Sequence, residues 1–111
     1  MTIGETQRLF VQLISKLIEY AYQQGWAFTF GESFRIDGKG HMPNSLHYER
    51  LAVDMNLFVN NVYITGDDPV WHLLGDFWKS LHPLCRWGGD IVKKMDYNHF
   101  SMVSSVSDNR I

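Results

Sequence analysis

The chain has 111 residues, 45% of them hydrophobic and 14% aromatic, with a formal net charge of −2. That composition fills the core of one domain spanning 1–111, and it excludes both a disordered chain and a polycationic nucleic-acid binder. A lone cysteine, Cys85, rules out an internal disulfide, and no apolar run approaches the roughly 20 residues of a membrane span.

The N-terminal stretch "MTIGETQRLF" has no basic start followed by an apolar signal core, so Sec export is not expected. It opens a helix instead. Thr2 and Glu5 fit a capping box. Leu9/Phe10, Leu13/Ile14, Leu17/Ile18 and Ala21 recur at three-to-four spacing and make one apolar face. Gly25 is placed to end the helix in a left-handed conformation.

In "WAFTFGESFRI", Trp26, Phe28 and Phe30 alternate with smaller residues and predict a strand. "DGKGHMPNS" reads as loop. "LAVDMNLFV" is the strongest strand, with Leu51, Val53, Met55 and Leu57 on one face and Ala52, Asp54 and Asn56 on the other. "NNVYIT" reads as a turn into a short partner strand. Asp68-Pro69 starts a second helix that carries Val70, Leu73, Leu74, Phe77 and Leu81 inward and stops before Pro83. "CRWGGD" reads as a tight loop, and "MDYNHFSMV" as a turn entering a final strand. The element order predicts an α+β fold: a small, mostly antiparallel sheet with helices packed on one side.

Four polar residues fit this pattern worst: His47, Asp54, Asp96 and His99. Catalytic zinc takes three ligands from His, Asp or Glu and keeps a fourth position open. His47, Asp54 and His99 would supply such a set, with Asp54 fixed in direction by its strand. Asp96, three residues before His99, could act as general base. Ordinary solvated polar residues are the competing reading of all four. His41, His72 and His82 lack ligand-like spacing and are assigned no metal, and Cys85 reads as a small buried apolar residue.

"SLHYERLAVDMNLF" resembles the Ser-x-His-x-x-Gly-x-Ala-x-Asp signature of zinc D-Ala-D-Ala carboxypeptidases and L-alanyl-D-glutamate endopeptidases, through Ser45, His47, Ala52 and Asp54. Arg50 stands where that signature has Gly. "WGGDIVKKMDYNHFSM" resembles the second signature of the same family, through Asp96 and His99 preceded by Trp87-Gly88-Gly89. "GESFRIDGKGHMPNS" is similar to the lead-in to the first signature, and Arg35 matches its arginine.

The resemblance implies a Zn²⁺ peptidase acting on peptidoglycan stem peptides, with His47, Asp54 and His99 as ligands and Asp96 as catalytic base. Arg35 becomes an electrophilic partner that binds substrate or steadies the developing oxyanion. Ser45, Tyr97 and Trp87 become substrate-side residues, against rival roles in loop, turn and core. Arg50 implies ordinary strand-entry geometry with an exposed side chain. The short chain looks most like phage endolysins: a monomer without membrane insertion, made in the host cytoplasm and released to the wall by a holin. L-Ala–D-Glu is the first choice of bond and D-Ala–D-Ala the second. A non-catalytic zinc-binding virion or wall-associated module is the alternative from another class.

Overall fold

The computed structural model describes residues 1–31 and 44–111. Helix α1 (Ile3–Gln23) begins as its first residues dictate: the Thr2 hydroxyl accepts from the Glu5 N–H, and the Glu5 carboxylate accepts from the Thr2 N–H. Two of the orphan donors of the first turn are satisfied in this way. The helix ends before Gly25, whose φ of 87° suits a residue without a Cβ. Phe10, Leu13, Ile14, Leu17 and Ala21 form its buried stripe.

Strands β1 (Trp26–Phe30), β2 (Ala52–Val59) and β3 (Val62–Tyr63) are followed by α2 (Pro69–Leu81), β4 (Cys85–Trp87) and β5 (His99–Met102). Every pairing is antiparallel, in the order β1-β2-β5-β4, with β3 hydrogen-bonded to β2. The β2–β3 hairpin turns on Asn60 and Asn61, both at positive φ, as a two-residue loop requires to match the strand twist. Asp68 caps α2 by accepting from the Val70 N–H at 2.9 Å, and Pro69 follows at the first helical position.

The register separates the two faces of the sheet. Val53 pairs with Phe100, and Phe100 meets the rings of Trp71 and Trp78 on α2. Phe10 of α1 meets Trp78 edge-on at 5.8 Å. The helices therefore cover this face. Asp54 pairs with His99 and points to the opposite face.

Two expectations are corrected. "CRWGGD" is not all loop: Cys85–Trp87 forms β4 against β5, and only Gly88–Asp90 turns. The inward stripe of α2 is Trp71, Leu74, Gly75 and Trp78, one residue out of phase with the expected set. Leu73 is 50% exposed, while Val70, Phe77 and Leu81 are half-buried at the margin. The reason is specific: the Trp78 indole N–H donates to the carbonyls of Arg86 and Ser101, which pins that face of α2 to β4 and β5.

Burial pushes the Cys85 thiol up to about 12, against a weaker opposing hydrogen bond from the His82 backbone. Thiolate is the reactive form. Iodoacetamide at pH 8 should therefore label Cys85 only after denaturation, as read by intact mass.

Candidate metal centre

The turn that carries His47 is built from short-range backbone chemistry. Ser45 Oγ accepts from the His47 N–H at 3.2 Å and caps a 3-10 turn over Leu46–Glu49. Leu46 is fully buried and anchors the turn, and His47 is 3% exposed. The chain enters at Asn44 (φ 64°) and leaves at Arg50 (φ 56°, ψ 37°), so left-handed residues flank both ends.

Arg50 thus does not make ordinary strand entry, although its side chain is exposed as expected. It takes a conformation that glycine, the residue of the signature, adopts without steric cost. Arg50→Gly should relieve strain of about 1–2 kcal/mol and lose about 0.4–1 kcal/mol through a floppier unfolded chain. Denaturant unfolding should show a variant as stable as the parent or slightly more so. Arg50→Val, β-branched at positive φ, should be less stable than either.

The second ligand turn is Asp96-Tyr97-Asn98-His99, closed by the His99 N–H donating to the Asp96 carbonyl at 3.1 Å. Its backbone is tied down at three more points. The Asp96 N–H donates to the Gly88 carbonyl, the Asn98 carbonyl accepts from the Met55 N–H, and the Tyr97 carbonyl accepts from the Trp87 indole at 2.8 Å. Gly88 lies so close that an added Cβ would stand 2.2 Å from the Asp96 carbonyl oxygen.

These turns and β2 bring three donor atoms together. His47 Nε2 lies 3.2 Å from His99 Nδ1 and 3.3 Å from Asp54 Oδ1, and His99 Nδ1 lies 3.2 Å from Asp54 Oδ1. Those spacings match the edge, about 3.3 Å, of a tetrahedron whose corners lie about 2.0 Å from its centre, the usual reach of zinc to N and O ligands. The donor set, two imidazoles and one carboxylate, also suits Zn²⁺. Among the described residues no other His, Cys, Asp or Glu joins the cluster, which supplies three corners of the tetrahedron.

Burial alone would raise the Asp54 carboxyl. Hydrogen bonds from His47 and His99, and their charge attraction, outweigh it and hold the group at about 2. The other ring nitrogen of His99, Nε2, is buried with no hydrogen-bond partner among the described residues. Among the described residues, the His99 ring is aimed by β5 and by packing.

Asp96 stands outside the three-atom cluster. Its exposed side chain lines a cleft of ≈ 300 Å³, together with Asn56, Tyr63, Thr65 and Tyr97. Trp87, for which cleft wall and core were equal readings, is only 3% exposed and packs beneath the second turn, close against Gly75 and Gly89. Ser45 is committed to the His47 N–H. Arg35 and His41 lie outside the described residues.

Asn56 received no role from the sequence. It lies two positions beyond Asp54 on the same strand face, and its amide is oriented by Thr29 Oγ1 at 3.2 Å and Tyr63 OH at 3.5 Å. The signal was the period of two, which puts every second residue of β2 beside the ligand.

A family model described as D-alanyl-D-alanine carboxypeptidase matches residues 38–102, a span that holds both ligand turns, β2 and Asp96.

Proposed function

Because the chain belongs to this D-alanyl-D-alanine carboxypeptidase family of zinc-dependent metallopeptidases, we propose that it hydrolyses a stem-peptide bond of bacterial peptidoglycan. The observation that carries the reading is the cluster of His47 Nε2, Asp54 Oδ1 and His99 Nδ1, spaced as three corners of a zinc tetrahedron, with Asp96 lining a cleft whose wall includes Met55 and Asn98, the chain neighbours of Asp54 and His99. These three residues would hold the ion. Zinc supplies Lewis-acid polarisation of the scissile carbonyl and brings the pKa of water to about 7.

The chain's own groups do the rest. The cleft takes the peptide in an extended form, and the Asn56 amide, already oriented, hydrogen-bonds its backbone. Asp96 removes one proton from the attacking water as the carbonyl carbon gains oxygen. As the C–N bond breaks, Asp96 returns that proton to the leaving amine, so one water is consumed and the base is regenerated. Arg35 is assigned the developing oxyanion on its match to the family pattern. The L-Ala–D-Glu bond is the first assignment, by analogy with phage endolysins that a holin releases to the wall. The D-Ala–D-Ala bond, which the family description names, is the second.

The test is digestion of purified peptidoglycan by the zinc-loaded protein, its EDTA-treated form and Asp96→Ala, with fragments read by mass spectrometry. New N-terminal D-Glu identifies the endopeptidase, and loss of a single D-Ala the carboxypeptidase. Asp96→Ala should retain zinc and cleave at least about a hundred-fold more slowly. No fragments with fresh zinc would leave a non-catalytic zinc-binding module and sink the peptidase reading.

A further inference from the structure

The family match ends at Met102, yet residues beyond it reach back to the metal centre. Arg110 donates through Nη1 to the Asn44 carbonyl at 3.0 Å and to the Glu49 carboxylate. Asn44 precedes the His47 turn and Glu49 is its last residue, so one guanidinium bridges the entrance and the exit. The same side chain is itself aimed. Asp108 accepts from Nε at 3.0 Å and from Nη2 at 2.6 Å, a forked charge-assisted pair. On the other side of the turn, Gln7 of α1 donates to the Glu49 carbonyl at 2.8 Å.

The turn needs such outside support. It is one short 3-10 element between two residues at positive φ, a conformation that costs energy for side chains with a Cβ. It must also hold His47 Nε2 within about 0.5 Å to keep a metal site competent. One guanidinium nitrogen, aimed by the Asp108 fork, bonds both ends, which fixes the distance between them and so the pitch of the turn. Lysine, a point charge, cannot reproduce a fork.

We propose that Arg110 is a positioning residue for the metal centre: the C-terminal tail, outside the family's matched span, clamps the His47 turn and thereby sets zinc affinity. The inference rests on zinc being the ligand of His47, Asp54 and His99. Arg110 touches neither metal nor substrate and acts through the turn.

The experiment measures zinc affinity by competition with a chromophoric chelator for the parent, Arg110→Ala, Arg110→Lys and Glu49→Gln, with Ile14→Val as a core variant remote from the turn. Amide exchange at Tyr48, Arg50 and Leu51, whose N–H groups bond within the turn, is followed in the metal-free proteins. Arg110→Ala should weaken zinc by about 10–100-fold, as supporting groups around metal ligands do, and should speed exchange at the three amides by about ten-fold. Arg110→Lys and Glu49→Gln should fall between it and the parent. Ile14→Val should lower the unfolding midpoint without moving zinc affinity. If Arg110→Ala does not fold, Arg110→Lys and Glu49→Gln carry the same comparison.

Parent-like zinc affinity in every clamp variant overturns the clamp while leaving the zinc peptidase reading intact. A fall in affinity matched by Ile14→Val also overturns it, since general loosening then suffices. A parent that binds no zinc removes the metal reading and with it the affinity claim, while unchanged exchange in Arg110→Ala refutes the clamp independently of metal.

Discussion

Asp54→Ala should purify without stoichiometric zinc and should cleave no more peptidoglycan than the EDTA-treated parent. The carboxylate is the one anion in the cluster, and it receives both imidazoles at 3.2–3.3 Å. Protein zinc sites bind with about 10 kcal/mol or more in total. Loss of one of three ligands removes roughly 3 kcal/mol, over a hundred-fold in affinity. The fold should survive, because Asp54 faces away from the helices and the aromatic core. Zinc-to-protein ratio by elemental analysis and circular dichroism read the two effects separately. Asp54→Asn, the same shape without charge, isolates the electrostatic part. A 1:1 zinc content in Asp54→Ala would sink the assigned centre.

The second large effect is expected at a residue with no side chain. Gly88→Ala would place a methyl 2.2 Å from the Asp96 carbonyl oxygen and 2.7 Å from the His99 Cβ. Both contacts lie on the turn that carries the proposed base and one ligand, and backbone cannot swing aside as a lysine tip can. The turn must move, at an overpacking cost of about 1–3 kcal/mol. A displacement near 1 Å at a catalytic group costs on the order of a hundred-fold in rate. Gly88→Ala should therefore unfold earlier, bind zinc more weakly and lose at least about a hundred-fold in turnover. Gly4→Ala, whose methyl meets only Arg8 at 3.6 Å, should if anything unfold slightly later, because alanine favours the helix, and should leave zinc binding and turnover unchanged. A Gly88→Ala protein with parental turnover would show that the turn is not held by this approach.

What the sequence made legible is what local chemistry decides. The Thr2–Glu5 pair and Gly25 mark both ends of α1, and Asp68-Pro69 marks the start of α2, because caps involve residues only a few positions apart. The alternation of β2 set Asp54 apart because an acid on a strand must choose a face. Other features depend on distant partners. β4 was hidden because three residues before a Gly-Gly pair show no period, and its strand character comes from β5. The phase of α2 was missed because Trp78 is drawn inward by carbonyls of β4 and β5 rather than by its neighbours in the helix. The left-handed geometry of Arg50 leaves no mark in an arginine. Arg110 bonds to a residue 61 positions away and to another 66 positions away, separations that no local pattern encodes.

The sheet order also says when the centre can come into being. β5 sits between β2 and β4 although it is made after both. During synthesis, His47 and Asp54 leave the ribosome together, and His99 follows 45 residues behind Asp54. Until β5 slots in, β2 and β4 each present a bare edge, the kind of surface that invites pairing with another chain. Closing that gap completes both the hydrogen-bond ladder and the ligand set in one event. If the cluster holds zinc, its capture would thus come late in chain assembly. A pulse-labelled nascent chain should acquire zinc only after its last strand has docked, and slow docking would show itself as aggregation during expression before it showed as lost activity.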